Sequence, residues 1–164
     1  MLVAIMSDSH DHLGNIDKAM KICVDEKVDA IIHCGDIISP FSLKKIGEPG
    51  IPVHAVFGNN DGDRVKLVHY SRTILKHIDF ADMVGEVEID NIKIAYTHYF
   101  EIAEKFAKSG EYDLVCFGHS HKRYCKKNDR IILLNPGEVM GKGGFPGFVL
   151  FNTENLEILE VNLK

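Results

Sequence analysis

Five short apolar runs in this chain each end in the same kind of polar group. Leu2 to Met6 runs into Ser7-Asp8-Ser9-His10, Asp29 to Cys34 into Gly35-Asp36, and Val53 to Phe57 into Gly58-Asn59-Asn60-Asp61. Ile92 to Tyr96 ends at Thr97-His98, and Leu114 to Phe117 ends at Gly118-His119-Ser120-His121. Apolar runs without polar alternation read as strands buried on both faces, the pattern of a largely parallel sheet covered by helices. In sheets of that kind ligands sit at the carboxyl ends of the strands, where this chain delivers Asp, Asn and His five times over.

The segments between the runs fit that frame. Leu13, Ile16, Met20, Cys23 and Val24 recur at helical spacing, and Pro40 to Ile46 forms a short helix before the G-E-P-G-I-P break. A helix is expected near Arg64 to Leu75. Val84 to Ile89 and Ile92 to Thr97 flank Asp90-Asn91, a two-residue hairpin turn. Phe100 to Lys108 places Ile102, Ala103, Phe106 and Ala107 on one helical face. Arg130 to Asn135, Phe148 to Asn152 and Leu156 to Leu163 read as further strands. The expected fold is α/β, two packed β-sheets flanked by helices in an α/β/β/α sandwich. With no repeat and no linker, residues 1–164 read as one domain.

Composition narrows the setting. The chain has 24 acidic against 19 basic residues and a formal net charge of -5, so no basic stripe tracks a long duplex nucleic acid. Met1 to Met6 lacks a basic leader and is followed at once by Asp8 and His10, and no run approaches the roughly 20 apolar residues of a membrane span. A cytoplasmic location without membrane contact is expected. Cys23, Cys34, Cys116 and Cys125 form no C-x-x-C pair and read as reduced, small apolar residues. The apolar strands near the C-terminus offer an edge for a homodimer.

Asp, Asn and His without Cys form an oxygen-and-nitrogen ligand set suited to Mn, Fe, Co, Ni or Zn. Asp8, His10, Asp36, Asn59, His98, His119 and His121 are more ligands than one ion needs. They suffice for two ions if one carboxylate bridges them at about 3.5–4 Å, and Asp36 is the natural bridge. Two carboxylates against two dications leave a positive centre that would hold an anionic phosphate and lower the pKa of a bound water toward ~7. Gly35, Gly58 and Gly118 permit sharp turns and close backbone approach there. A single D-x-H or H-x-H is usually ordinary polarity; the conjunction at strand ends carries the metal reading. His12, His33, His54, His69 and His77 read as structural or solvated, with His12 at a helix start.

The series D-x-H, G-D, G-N-x-D, T-H and G-H-S-H, running from Asp8 to Asn135-Pro136-Gly137, resembles the calcineurin-like metallophosphoesterase family, and within it the small YfcE-type phosphodiesterases. The resemblance implies that Asp8, His10, Asp36 and His121 hold one metal, and Asp36, Asn59, His98 and His119 the other, with Mn favoured. It also implies a small phosphate diester as substrate, attack by a metal-bridging hydroxide, and catalytic parts for Asp36, His98 and Asn60. Many members carry His where this chain has Asn60. An amide donates a hydrogen bond but delivers no proton, so general-acid assistance, typically worth ~10²–10⁴ in rate, is missing and good leaving groups are preferred.

Other readings are weaker. Ser7-Asp8-Ser9-His10 lacks a G-x-S-x-G elbow, and Gly137 to Gly147 lacks the spacing and the Ser or Thr of a P-loop. That glycine-rich stretch is expected as a flexible loop beside the site, with Lys142, or Arg123 after the fifth motif, as candidates to touch phosphate. Two rivals remain: a protein-interaction scaffold resembling the retromer subunit of the same fold, and a nuclease on short nucleic acid.

Overall fold

Alternate residues of strand β1 (Leu2–Met6) face opposite sides, and each side has its own partner. Ala4 and Met6 pack toward helix α1 (Leu13–Asp25) with Ile16, Ala19, Met20 and Cys23. Val3 and Ile5 pack toward a second sheet with Ile94, Tyr96, Leu114 and Leu134. A strand buried on both faces has no use for polar residues, which is why the run is apolar until it ends. The computed structural model describes residues 1–128 and 130–163. Asp129 and Lys164, inside the expected 1–164 domain, lie outside the described residues.

The remaining elements follow in chain order: β2 (Ala30–His33), α2 (Pro40–Gly47), β3 (Val53–Ala55), α3 (Arg64–Thr73), β4 (Ile78–Phe80), β5 (Val84–Ile89), β6 (Ile92–Thr97), α4 (Phe100–Ser109), β7 (Leu114–Cys116), β8 (Tyr124–Lys127), β9 (Ile132–Asn135), β10 (Gly147–Asn152) and β11 (Ile158–Asn162). The first sheet has the order β11-β10-β1-β2-β3-β4 and the second β5-β6-β7-β9-β8. β1 to β4 are parallel, with Met6 opposite His33 and His33 opposite Ala55. β6, β7 and β9 are parallel in the second sheet. Helices α1, α2 and α3 cover the outer face of the first sheet, and α4 covers the second through Ala103 against Val115, Phe117 and Leu133. The result is the α/β/β/α sandwich expected from the alternation of runs.

Several boundaries moved for local reasons. The third strand stops at Ala55, two residues short of Phe57, because Phe57 turns its amide to Asp82 O at 2.9 Å. The strand expected from Arg130 begins at Ile132, and that expected over Leu156 to Leu163 is Ile158–Asn162. β4 and β8 were not expected: β4 is three residues long, and β8 is a fully exposed edge reading Y-C-K-K, which carries no apolar signal. The hairpin at Asp90-Asn91 is confirmed, with φ of 53° and 65°, the left-handed pair that a type I′ turn requires. All four cysteines are free, three of them buried. Among the described residues no helix is long and apolar enough to cross a membrane.

Candidate metal centre

Parallel pairing brings the ends of β1, β2 and β3 side by side, and the ladder continues past the strands. Asp8 N–H donates to Gly35 O at 3.0 Å and His10 N–H to Asp36 O at 3.0 Å. From the second sheet, β6 supplies His98 and β7 supplies the Gly118 loop, whose amide at His119 donates to Asp8 Oδ2 at 3.1 Å. The sheets approach so closely here that the glycines are obligatory. A Cβ on Gly58 would overlap Asp36 Oδ1, and one on Gly118 would overlap Ser7 Oγ.

All seven predicted residues lie around one point. His10 Nε2 is 3.6 Å from Asp8 Oδ1 and 3.4 Å from Asp36 Oδ2. His121 Nε2 is 3.3 Å from Asp8 Oδ1, and His98 Nε2 is 3.5 Å from Asp36 Oδ2. On the far side, His98 Nε2 stands 3.0 Å from Asn59 Oδ1 and 3.2 Å from His119 Nδ1. Two groups therefore have ligand atoms within 4.8 Å of one another, Asp8 with His10 and His121, and Asp8 with Asp36 and His98. Asp36 Oδ2 faces both His10 and His98, the position a bridging carboxylate would take.

The protonation chemistry favours a cation at this point. His98 Nδ1 lies 2.7 Å from the Cys34 carbonyl, which can only accept, so Nδ1 carries a proton and Nε2 is the nitrogen turned inward. His121 Nδ1 likewise meets Glu138 Oε2 at 2.7 Å, so this ring too turns Nε2 inward. Asp8 Oδ1 and His10 Nε2 are buried and have no hydrogen-bond partner in the protein. Acceptors facing acceptors in a buried site cost free energy unless positive charge joins them. Titration tells the same story. The neighbouring Asp8 carboxylate raises the His10 pKa against the opposing effect of burial. Burial alone would lower His98, but Asp36 and the Cys34 carbonyl raise it. Burial would raise Asp36, yet hydrogen bonds from His98 and Asn60 hold it well below the usual carboxylate range.

Backbone geometry marks the same residues. Asp8, His10, Asp36, His119 and His121 have φ of 54°, 43°, 59°, 66° and 58°, so five of the seven sit in the left-handed region. Such residues cost about 1–3 kcal/mol each and cluster where function fixes the backbone.

Asn60 stands where expected and is tied to Asp36: its amide N–H and one Nδ2 N–H each reach Asp36 oxygens at 2.8 Å. Arg123 borders the cleft beside His121, and its guanidinium bonds Glu160 and Val161 O, each at 2.8 Å, tying β8 to β11. Lys142 is exposed on the glycine-rich loop. His12 caps α1, accepting from the Asn15 amide at 3.1 Å, as its helix-start position implied. His33 is fully buried against Ser9 Oγ at 3.1 Å, and His77 bonds Gly47 O.

Two acidic residues were not singled out. Asp61 accepts from the amides of Gly58 at 2.7 Å, Asp36 at 3.0 Å and Ile38 at 2.7 Å, so it locks the second and third loops together. Its signal was visible as the last letter of G-N-x-D. Glu138 follows Asn135-Pro136-Gly137 directly, and only its fold neighbours reveal its contact with His121.

A fold of this topology with clustered Asp, Asn and His at the strand ends defines a metal-site hydrolase architecture. Residues 1–156 match the calcineurin-like phosphoesterase superfamily domain, and the chain belongs to that family. It is 40% identical over 167 residues to phosphodiesterase MJ0936 of Methanocaldococcus jannaschii, covering 100% of both chains. The solved structure of an archaeal phosphodiesterase matches with TM-score 0.93 at 40% identity, over 99% of this chain and 100% of that one. Vps29 of Chaetomium thermophilum matches with TM-score 0.70 at 14% identity, over 99% of this chain and 98% of that one, a likeness of fold alone.

Proposed function

We propose that this chain is a phosphodiesterase working with two divalent ions, on small phosphate diesters. The observation that carries the reading is the inward convergence of ligand atoms, above all the partnerless Asp8 Oδ1 and His10 Nε2. Asp8, His10, Asp36 and His121 would hold one ion, and Asp36, Asn59, His98 and His119 the other. The donor set suits Mn, with Ni, Co, Fe and Zn as alternatives. When bound, such a pair supplies positive charge for the phosphate and lowers the pKa of a shared water toward ~7.

The chain's own residues do the rest. The Cys34 carbonyl and Glu138 hold the rings of His98 and His121 with Nε2 turned inward. Asp61 and Asn60 fix Asp36 from opposite sides, through its amide and through its carboxylate. Tyr99 walls the site, its ring centroid 5.3 Å from that of His119. No imidazole stands at position 60, so the leaving alcohol departs without a proton from that side. A diester with an acidic leaving group is the substrate this suits, and the 40% identical phosphodiesterase supports that class. Four free cysteines suit a reducing compartment such as the cytoplasm.

The test is chelator-stripped protein assayed against bis(p-nitrophenyl) phosphate and p-nitrophenyl phosphate, with Mn, Ni, Co, Zn and Mg added back singly. We expect activity only after metal return, and faster cleavage of the diester. Metal uptake without hydrolysis of either ester would instead support the scaffold reading that the Vps29 fold allows.

A further inference from the structure

Glu138 is not one of the seven, yet its side chain is 2% exposed and both its oxygens are in use. Oε2 accepts the ring N–H of His121 at 2.7 Å, and Oε1 accepts the amide N–H of Gly143. The backbone around it is pinned to β1: Val139 N–H donates to Ser7 O at 3.0 Å and Met140 N–H to Asp8 O at 3.1 Å. Gly143 belongs to the loop from Gly141 to Pro146, which carries exposed Phe145. That loop, with His121 and Lys122, borders a cleft of about 360 Å³. One carboxylate thus joins an inward-facing imidazole to the middle of a loop whose own ties are Gly144 N–H to Gly141 O and, at its far end, Leu163 N–H to Pro146 O.

We propose that Glu138 is a positioning residue that couples metal occupancy at His121 to the order of the Gly141–Pro146 loop. The inference rests on the metal reading above. With Nδ1–H held by Glu138, His121 turns Nε2 toward Asp8 Oδ1, 3.3 Å away. Once Nε2 is engaged by a cation, the ring N–H becomes a stronger donor and its bond to Oε2 tightens. Oε1 is then held in line with the Gly143 amide, and the loop closes against the cleft where the organic part of a diester would lie.

Glutamine separates the two grips. Glu138→Gln keeps volume but offers one acceptor oxygen to two donors. It either turns its NH₂ toward Gly143 and frees the loop, or turns it toward His121 and drives the ring proton to Nε2, against the site. Coupling is lost both ways. Glu138→Ala removes both grips together.

The experiment uses the full chain, stripped with chelator, and follows Mn²⁺ binding by calorimetry and amide hydrogen exchange over residues 141–146 with and without Mn²⁺. In the wild type, Mn²⁺ should slow exchange at Gly143 about three- to tenfold, the worth of one net hydrogen bond. Glu138→Ala should weaken Mn²⁺ about 10–100-fold, and in both variants the loop should no longer respond. A wild-type loop indifferent to bound Mn²⁺, or a Glu138→Ala affinity within about threefold of wild type, overturns the coupling while leaving the metal reading intact. A wild type that takes up neither Mn²⁺ nor, on repeating the titration, Ni²⁺, Co²⁺, Fe²⁺ or Zn²⁺ overturns both.

Discussion

Removing the Asp61 carboxylate should loosen the centre without touching any residue proposed to hold metal. Its Oδ2 takes the amides of Gly58 at 2.7 Å and Asp36 at 3.0 Å, and its Oδ1 takes Ile38 at 2.7 Å. The first two bonds are buried, and Asp61 itself is 6% exposed. Asp61→Ala leaves two buried donors unpaired at about 1–3 kcal/mol each. Part of that is offset, because burial and the nearby charge of Asp36 already raise the pKa of Asp61 and make its ionised form costly. The net expectation is roughly 2–4 kcal/mol lost. Asp61→Asn keeps one acceptor oxygen and should lose about 1–3 kcal/mol, the cost of one unsatisfied amide. Because the bonded amides flank Asp36 and Asn59, Mn²⁺ affinity should also fall about 10–100-fold. Urea unfolding of chelator-treated protein gives the first quantity and calorimetric titration the second. An Asp61→Ala variant within about 0.5 kcal/mol of wild type, an ordinary surface value, would refute the reasoning.

Three further outcomes are expected. Asn60→His should raise the rate on poor leaving groups relative to good ones by about tenfold or more, measured across a series of aryl and alkyl diesters; an unchanged ratio means that position 60 does not serve the leaving oxygen. His33 is neutral when buried, its pKa lowered from 6.5 to about 4 by desolvation. A base with a depressed folded pKa contributes stability that is complete above 6.5 and lost as pH falls toward 4. The gap corresponds to roughly 3 kcal/mol, so urea unfolding of metal-free protein should show a loss over that window which His33→Gln lacks. Gly118→Ala places a methyl into Ser7 Oγ and within 2.8 Å of Asp8 Oδ2. Displacing Asp8 in this way should reduce kcat/KM roughly 10²-fold, and wild-type kinetics in that variant would show that the loop has room the geometry denies.

The strained backbone and the buried acceptors belong to one arrangement. Five candidate ligands hold left-handed φ values that only a well-packed frame can maintain. That frame is the pair of sheets meeting through Val3, Ile5, Ile32, Tyr96, Leu134 and Phe151 directly beneath the loops. Close packing there lets Cys34 O, one residue beyond β2, reach the ring of His98 from the other sheet.

The candidate ligands could be picked out from the sequence alone. Apolar runs without alternation fix which segments are buried on both faces, and the polar clusters that follow them mark where those strands end. Asp8, His10, Asp36, Asn59, His98, His119 and His121 were legible for that reason, as was the sandwich. Only the tertiary structure decided who meets whom. His119 N–H and Asp8 Oδ2 are 111 residues apart in the chain and 3.1 Å apart in space, a pairing set by sheet order rather than by local preference. β8 stayed hidden because an exposed edge strand needs no apolar residues. Arg123, a phosphate candidate by position, borders the cleft beside His121 with its guanidinium held by Glu160 and Val161 O. Glu138 was one more acidic letter until the fold carried it to 2.7 Å from His121. A periodic pattern records burial, which each residue obeys alone; contacts between distant loops depend on the whole packing, and no single segment records them.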